Sequence, residues 1–245
     1  MMRSANPALT ANTFQRVAMA GGRTMTLGGT VNRAFILTLL LMIVASFTWN
    51  KGLQNPELIG GMVMLGMIGG LIVAIATVFK KNWAPISAPL YAVFEGIALG
   101  AISLVFETKF PGIVFQAIMG TMGTLIALLL AYRSGLIKAT QNFKLGVAAA
   151  TGGIFFLYLI SFILGFFGVQ MNFLHDSSPL SIGLSVVIII VAALNLVMDF
   201  DFIEQGAAAG APKYMEWYAA FGLMVTLIWL YLEFLRLLAK LQSRR

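Results

Sequence analysis

The chain has no cysteine, one histidine and few charges. Without cysteine there are no disulfides, no thiolate nucleophile and no thiolate metal site. Only 10% of the 245 residues are charged, against about 25% in soluble domains. The histidine, His175, precedes Asp176 in a polar stretch outside every apolar run, so a serine–histidine dyad inside a membrane would lack its base. There is no His-Glu-x-x-His, no Gly-x-Ser-x-Gly and no P-loop. Two acids share one apolar run, but no paired catalytic motif accompanies them. The chain is therefore read as a non-enzyme without a cofactor.

What it does have is apolar residues, 60% of the total, with a mean hydropathy of +0.91. That composition fits a polytopic membrane protein, an all-α bundle in a lipid bilayer. A net charge of +7 would suggest nucleic acid in a soluble protein. Here the basic residues flank apolar runs, which is how membrane topology is written, so no nucleic-acid partner is expected.

A span needs about 20 apolar residues at about 1.5 Å rise each. Seven runs qualify: Val31–Trp49, Leu58–Phe79, Ala84–Phe106, Gly112–Tyr132, Leu145–Phe167, Leu180–Phe202 and Tyr214–Leu238. Arg33 must then sit at the edge of the first. Residues 1–30, rich in Gly, Thr, Ala and Asn, do not resemble a cleavable signal peptide. They are expected to form a mostly disordered cytoplasmic tail, followed by one transmembrane domain, residues 31–245. Gly66 with Gly70, and Gly96 with Gly100, repeat the spacing that lets membrane helices approach closely. Packing within the chain accounts for both pairs more simply than a dimer face.

With the N-terminus inside, the cytoplasmic side carries ten basic residues (Arg3, Arg16, Arg23, Arg33, Lys80, Lys81, Arg133, Lys138, Lys144, Lys213) and the outer loops two, Lys51 and Lys109. The positive-inside rule accepts this orientation for six spans. The final cluster of Arg236, Lys240, Arg244 and Arg245 disagrees, because seven spans place it outside.

The informative residues are acids within these runs. A charge in hydrocarbon costs about 2.5–3.5 kcal/mol on insertion scales, so a membrane protein that keeps several has a use for them. At about 100° per residue, Ser181, Ser185, Ile188, Ala192, Asn195 and Asp199 share one face of the sixth run. That stripe either lines a cavity or packs on another helix with Asn195 and Asp199 hydrogen-bonded across it. Asp201 points away from the stripe, near the run's end, where it can reach water. In the seventh run Gly222, Thr226, Trp229, Glu233 and Arg236 share a face. Glu233 and Arg236, three apart, can pair locally, or Arg236 can reach across to a carboxylate on a neighbouring helix. Glu95 lies near mid-depth of the third run on an otherwise apolar face. It is either a proton-binding group, protonated at neutral pH, or a donor in one structural hydrogen bond.

Three stretches resemble the transmembrane Bax inhibitor motif family, the Bax inhibitor-1-like proteins. They are YAVFEGIALGAIS (Tyr91 to Ser103), NLVMDFDFIEQG (Asn195 to Gly206) and TLIWLYLEFLRLL (Thr226 to Leu238). The resemblance implies seven helices wrapped around a central last one. It also implies a pH-sensitive calcium leak gated by an aspartate pair between the sixth and seventh helices. Asp199 takes the Asp position of the sixth-helix motif. The chain departs from the pattern in three places. Met198 replaces the usual aromatic and Asp201 the usual Gln, and Thr226 stands where the seventh helix would supply the second Asp. A register shifted by two would instead put Phe200-Asp201 on the aromatic-Asp pair, and the string LYLEF offers Glu233 as the partner acid.

The leading expectation is a multi-pass protein of a bacterial inner membrane that leaks cations, calcium above all, gated by protonation of buried carboxylates, with calcium or protons as the species it binds. Asp199, Asn195, Asp201 and Glu95 would bind the ion or proton, Asp199 being the calcium ligand. Arg236, Glu233 and Thr226 would pair or gate. The alternative is a non-transporting regulator that binds a membrane protease or another membrane-protein partner. A proton-coupled solute transporter is a third reading, disfavoured by the lack of an internal repeat.

Overall fold

A computed structural model describes residues 24–168, 171 and 176–244. Residues 1–23, most of the expected tail, lie outside them, as does His175. Among the described residues there are seven long helices: α1 (Leu27–Gln54), α2 (Ile59–Phe79), α3 (Ala84–Lys109), α4 (Ile113–Arg133), α5 (Gln141–Phe166), α6 (Pro179–Ala208) and α7 (Met215–Gln242). Short 3-10 turns, Pro56–Leu58 and Lys81–Trp83, precede α2 and α3. No strand occurs among the described residues, where a lone bridge joins Thr24 and Pro212. All seven helices are long and apolar enough to cross a bilayer, and the chain is a multi-pass membrane protein.

α1 and α5 begin before their apolar runs because polar N-caps, which hydropathy ignores, set their first turns. The Thr26 side chain accepts from the Gly29 N–H at 3.0 Å and starts α1 four residues before Val31. Thr140 does the same for α5 by accepting from Phe143. Arg33 consequently sits in the second turn of α1 rather than at its edge, and residues 24–30 belong to the fold rather than to a tail.

The chain divides into two compact units. The N-terminal unit holds residues 24–111 and Asp201–Val225, and the C-terminal unit Gly112–Phe200 and 226–244. α6 and α7 each contribute to both. α7 supplies Met215, Tyr218, Phe221 and Met224 to the core of the first, and Ile228, Leu230 and Leu235 to that of the second.

In the N-terminal unit α3 packs between α1 and α2, and glycines set the distance. A Cβ on Gly66 of α2 would lie 2.5 Å from the Ala98 backbone nitrogen, and one on Gly96 of α3 would lie 2.8 Å from the Leu41 carbonyl of α1. Gly100 stands equally tight against the Ala45 carbonyl. Both glycine pairs thus serve packing within the chain. In the C-terminal unit Gly120 of α4 receives the Phe234 ring of α7, and Tyr132 of α4 lies 5.9 Å, ring to ring, from Phe200 of α6. The outward faces carry large apolar side chains such as Phe35, Leu71, Phe115, Phe155 and Phe166, as contact with lipid requires.

Candidate functional site

The sixth-helix stripe is realised inside the C-terminal unit. Ser181, Ser185, Ile188, Ala192, Asn195 and Asp199 are all buried, and Asp199 is 0% exposed. At Asn195 the stripe packs on a neighbour: its amide donates to Thr151 Oγ1 of α5 and to the Val191 carbonyl, both at 2.8 Å. Packing across helices therefore holds at that position, and Asp199 lies one turn further on the same face. Thr226, also buried, belongs to the same unit.

Glu233 and Arg236 pair as their spacing allows, with Arg236 Nη1 donating to Glu233 Oε1 at 2.7 Å. Arg236 also reaches a neighbouring helix, though not a carboxylate there. It donates to the Tyr158 hydroxyl of α5 at 3.0 Å, and that hydroxyl donates to Glu233 Oε1, also at 3.0 Å. The guanidinium carbon lies 5.2 Å from the centre of the Tyr158 ring, and Glu233 itself is fully buried. The triad neutralises a buried acid while it ties α5 to α7. Tyr158→Phe should cost about 0.6 kcal/mol, and no more than about 1.7, the range for hydrogen bonds between membrane helices. Thermal unfolding in detergent checks this, and a loss several times larger would mean that the hydroxyl does more than bridge.

Glu95 and Asp201 belong to the N-terminal unit. The Tyr91 hydroxyl, one turn earlier, hydrogen-bonds to Glu95, and the carboxylate lies against Gly70 of α2. Asp201 is half-buried and accepts from Gln205 Nε2 at 2.6 Å. That contact spans one helical turn within α6, and Asp201 keeps part of its surface exposed.

Two buried charges, besides Lys144, escape a reading of the sequence. Glu216, in the first turn of α7, is completely buried in the N-terminal unit. Its Oε1 accepts from the Thr26 N–H at 3.1 Å, the Thr26 hydroxyl at 2.9 Å and Lys213 Nζ at 2.7 Å. Arg33 stands 3.9 Å from Oε2 and 5.0 Å above the Trp217 ring. The only signal in the sequence was the Lys213-x-x-Glu216 spacing, with an acid where a helix N-terminus favours one.

The second is Lys240, which is buried in the last turn of α7. It donates to Ser185 Oγ at 2.8 Å and to the Ser181 carbonyl at 3.3 Å. Nothing in the sequence separates it from an ordinary flanking lysine. Its burial and the Arg236 pair engage two of the four cations in the terminal cluster, so that cluster is a weaker orientation signal than its count suggests.

Among the described residues no three His, Cys, Asp or Glu side chains gather to hold a metal ion. Searches of curated proteins and of solved structures found no match. The sequence profile of the family described as Bax inhibitor 1 like matches residues 6–243. That match runs through all seven apolar helices and all three stretches that carried the resemblance, and the chain belongs to the Bax inhibitor 1 like family.

Proposed function

We propose that the protein lets cations, calcium among them, leak across a bacterial inner membrane, with ionisation of Asp199 as the gate and the N-terminus cytoplasmic. The observation that carries this reading is Asp199 itself. It is a wholly buried carboxylate in a membrane-spanning helix, at the end of a face that also holds Ser181, Ser185 and Asn195. Keeping an acid there is expensive unless it is used. Hard cations take oxygen ligands, which Asp199, the Asn195 side chain and nearby carbonyls offer. A site with no cluster of three acids among the described residues suits passage better than storage, because a conducting site must bind weakly enough to release its ion. The carboxylates act by binding and by charge, and no catalytic step is assigned to them.

Protonation removes the charge that attracts a cation, and Asn is neutral at every pH. Asp199→Asn should therefore hold calcium flux in proteoliposomes near the wild-type low-pH level and flatten its pH response. A mutant with unchanged flux and an unchanged pH profile would overturn the proposal.

The second reading is a non-transporting regulator of a membrane protease or another membrane protein. The fixed partners of Asn195, Asp201 and Glu233 favour it, since they look like structural polar contacts. It predicts no flux from the wild type, and a partner recovered from membranes by the full chain but lost on removal of residues 1–30.

A further inference from the structure

Lys240 could avoid burial, yet it does not. It lies in the last turn of α7, next to the exposed Leu241, where a lysine stem can carry its charge out to water. Instead its ammonium turns inward to the first turn of α6. The positive end of that helix dipole disfavours a cation, so local oxygens must compensate. The Ser181 carbonyl and the Ser185 hydroxyl accept its protons. Of the charged groups that act on it, the carboxylates of Glu233 and Asp176 attract and the guanidinium of Arg236 opposes. Asp176 stays ionised, because hydrogen bonds from Ser178 hold its carboxyl below the usual range.

We propose that this ammonium is a tethered cation filling an oxygen-lined site, and that a free monovalent cation takes its place when the lysine swings out. The two contacting oxygens are neutral, a carbonyl and a hydroxyl. That donor set stabilises a singly charged ion, whereas divalent ions gather carboxylates. A lysine ammonium is a compact, strongly hydrated point charge on a flexible stem, and it makes the contacts that a potassium-sized ion would make. The position matters because Ser181 and Ser185 open the face that ends at Asp199, so the lysine occupies the stripe's first polar turn.

The test uses the full chain in lipid nanodiscs, with an amine-acylating reagent and mass-spectrometric readout at each lysine. If potassium competes for the site, Lys240 reacts severalfold faster in potassium chloride than in tetramethylammonium chloride of equal ionic strength. Exposed Lys138 reacts equally in both. Equal rates at Lys240 in the two salts would overturn the proposal, since a lysine that only fastens α7 to α6 responds to ionic strength and not to the identity of the salt. A second measurement is thermal unfolding of Lys240→Ala, which frees the site. Potassium should raise its midpoint saturably over tetramethylammonium, and adding Ser185→Ala should abolish the gain. Lys240→Met fills the space without charge and should show no such gain. If Lys240→Ala folds but melts identically in both salts, the proposal fails; if it does not fold, the wild-type acylation rates decide. Neither readout requires ion flux, so both stand apart from the role of Asp199.

Discussion

Replacing Glu216 with alanine is expected to release the start of α1 from the start of α7 at a cost of about 1–3 kcal/mol, the price of leaving buried partners unsatisfied. Three donors converge on its Oε1: the Thr26 N–H, the Thr26 hydroxyl and Lys213. Lys213 and Arg33 keep part of their surface exposed and can turn to water, which keeps the loss below that of a fully stranded ion pair. The Thr26 backbone cannot turn away so freely, because the neighbouring Met25 N–H is bonded to the Ala211 carbonyl at 2.6 Å. Gly29 supplies a second handle. A side chain there would collide with the Glu216 carboxylate, which its hydrogen bonds prevent from stepping aside. Gly29→Ala should therefore destabilise the wild type, yet cost little more once Glu216→Ala has emptied the space. Such non-additivity is the mark of a shared contact. Thermal unfolding of the two single variants and the double variant measures it. Proteolysis near Thr24 should also accelerate in Glu216→Ala. Strictly additive losses would mean that Gly29 and Glu216 do not constrain each other.

Gly100→Leu is expected to be as damaging or worse, while Gly61→Leu, in the same unit, should be harmless. A side chain at Gly100 would run into the Ala45 carbonyl and the Thr48 side chain of α1. The first of these is backbone and cannot rotate away, so α1 and α3 must separate. Overpacking costs about 1–3 kcal/mol, occasionally more, and leucine is far larger than the single methyl that already collides. Gly61 has nothing within 4 Å of an added Cβ and is exposed toward lipid. There leucine should stabilise α2 by up to about 1 kcal/mol through helix propensity. Unfolding midpoints in matched detergent decide between them. Equal effects at the two positions would show that α1 and α3 do not rely on that close approach.

Much of the architecture was legible before any coordinates. Seven apolar runs of spanning length became seven helices because a bilayer requires backbone hydrogen bonds to be closed within each segment, so hydropathy alone locates them. The glycine pairs and the Glu233–Arg236 spacing were legible for a similar reason: helical geometry places residues three or four apart side by side. The six-residue stripe of α6 followed from the same period, and all six positions are buried.

What the sequence could not decide was which partner each polar group would find across helices. Thr151 meets Asn195, Tyr158 meets Glu233 and Arg236, Ser185 meets Lys240, and Thr26 meets Glu216. These pairs are separated by 44 to 190 residues, and no periodicity reaches that far. Hydropathy also treats a charge at a helix end as one that escapes to water, which is why Glu216 and Lys240 passed as ordinary boundary residues. Chain chemistry determined that there would be seven spanning helices and which of their faces would be polar. Tertiary packing alone decided which charges ended up enclosed, because enclosure depends on the neighbour that arrives and not on the helix that carries the charge.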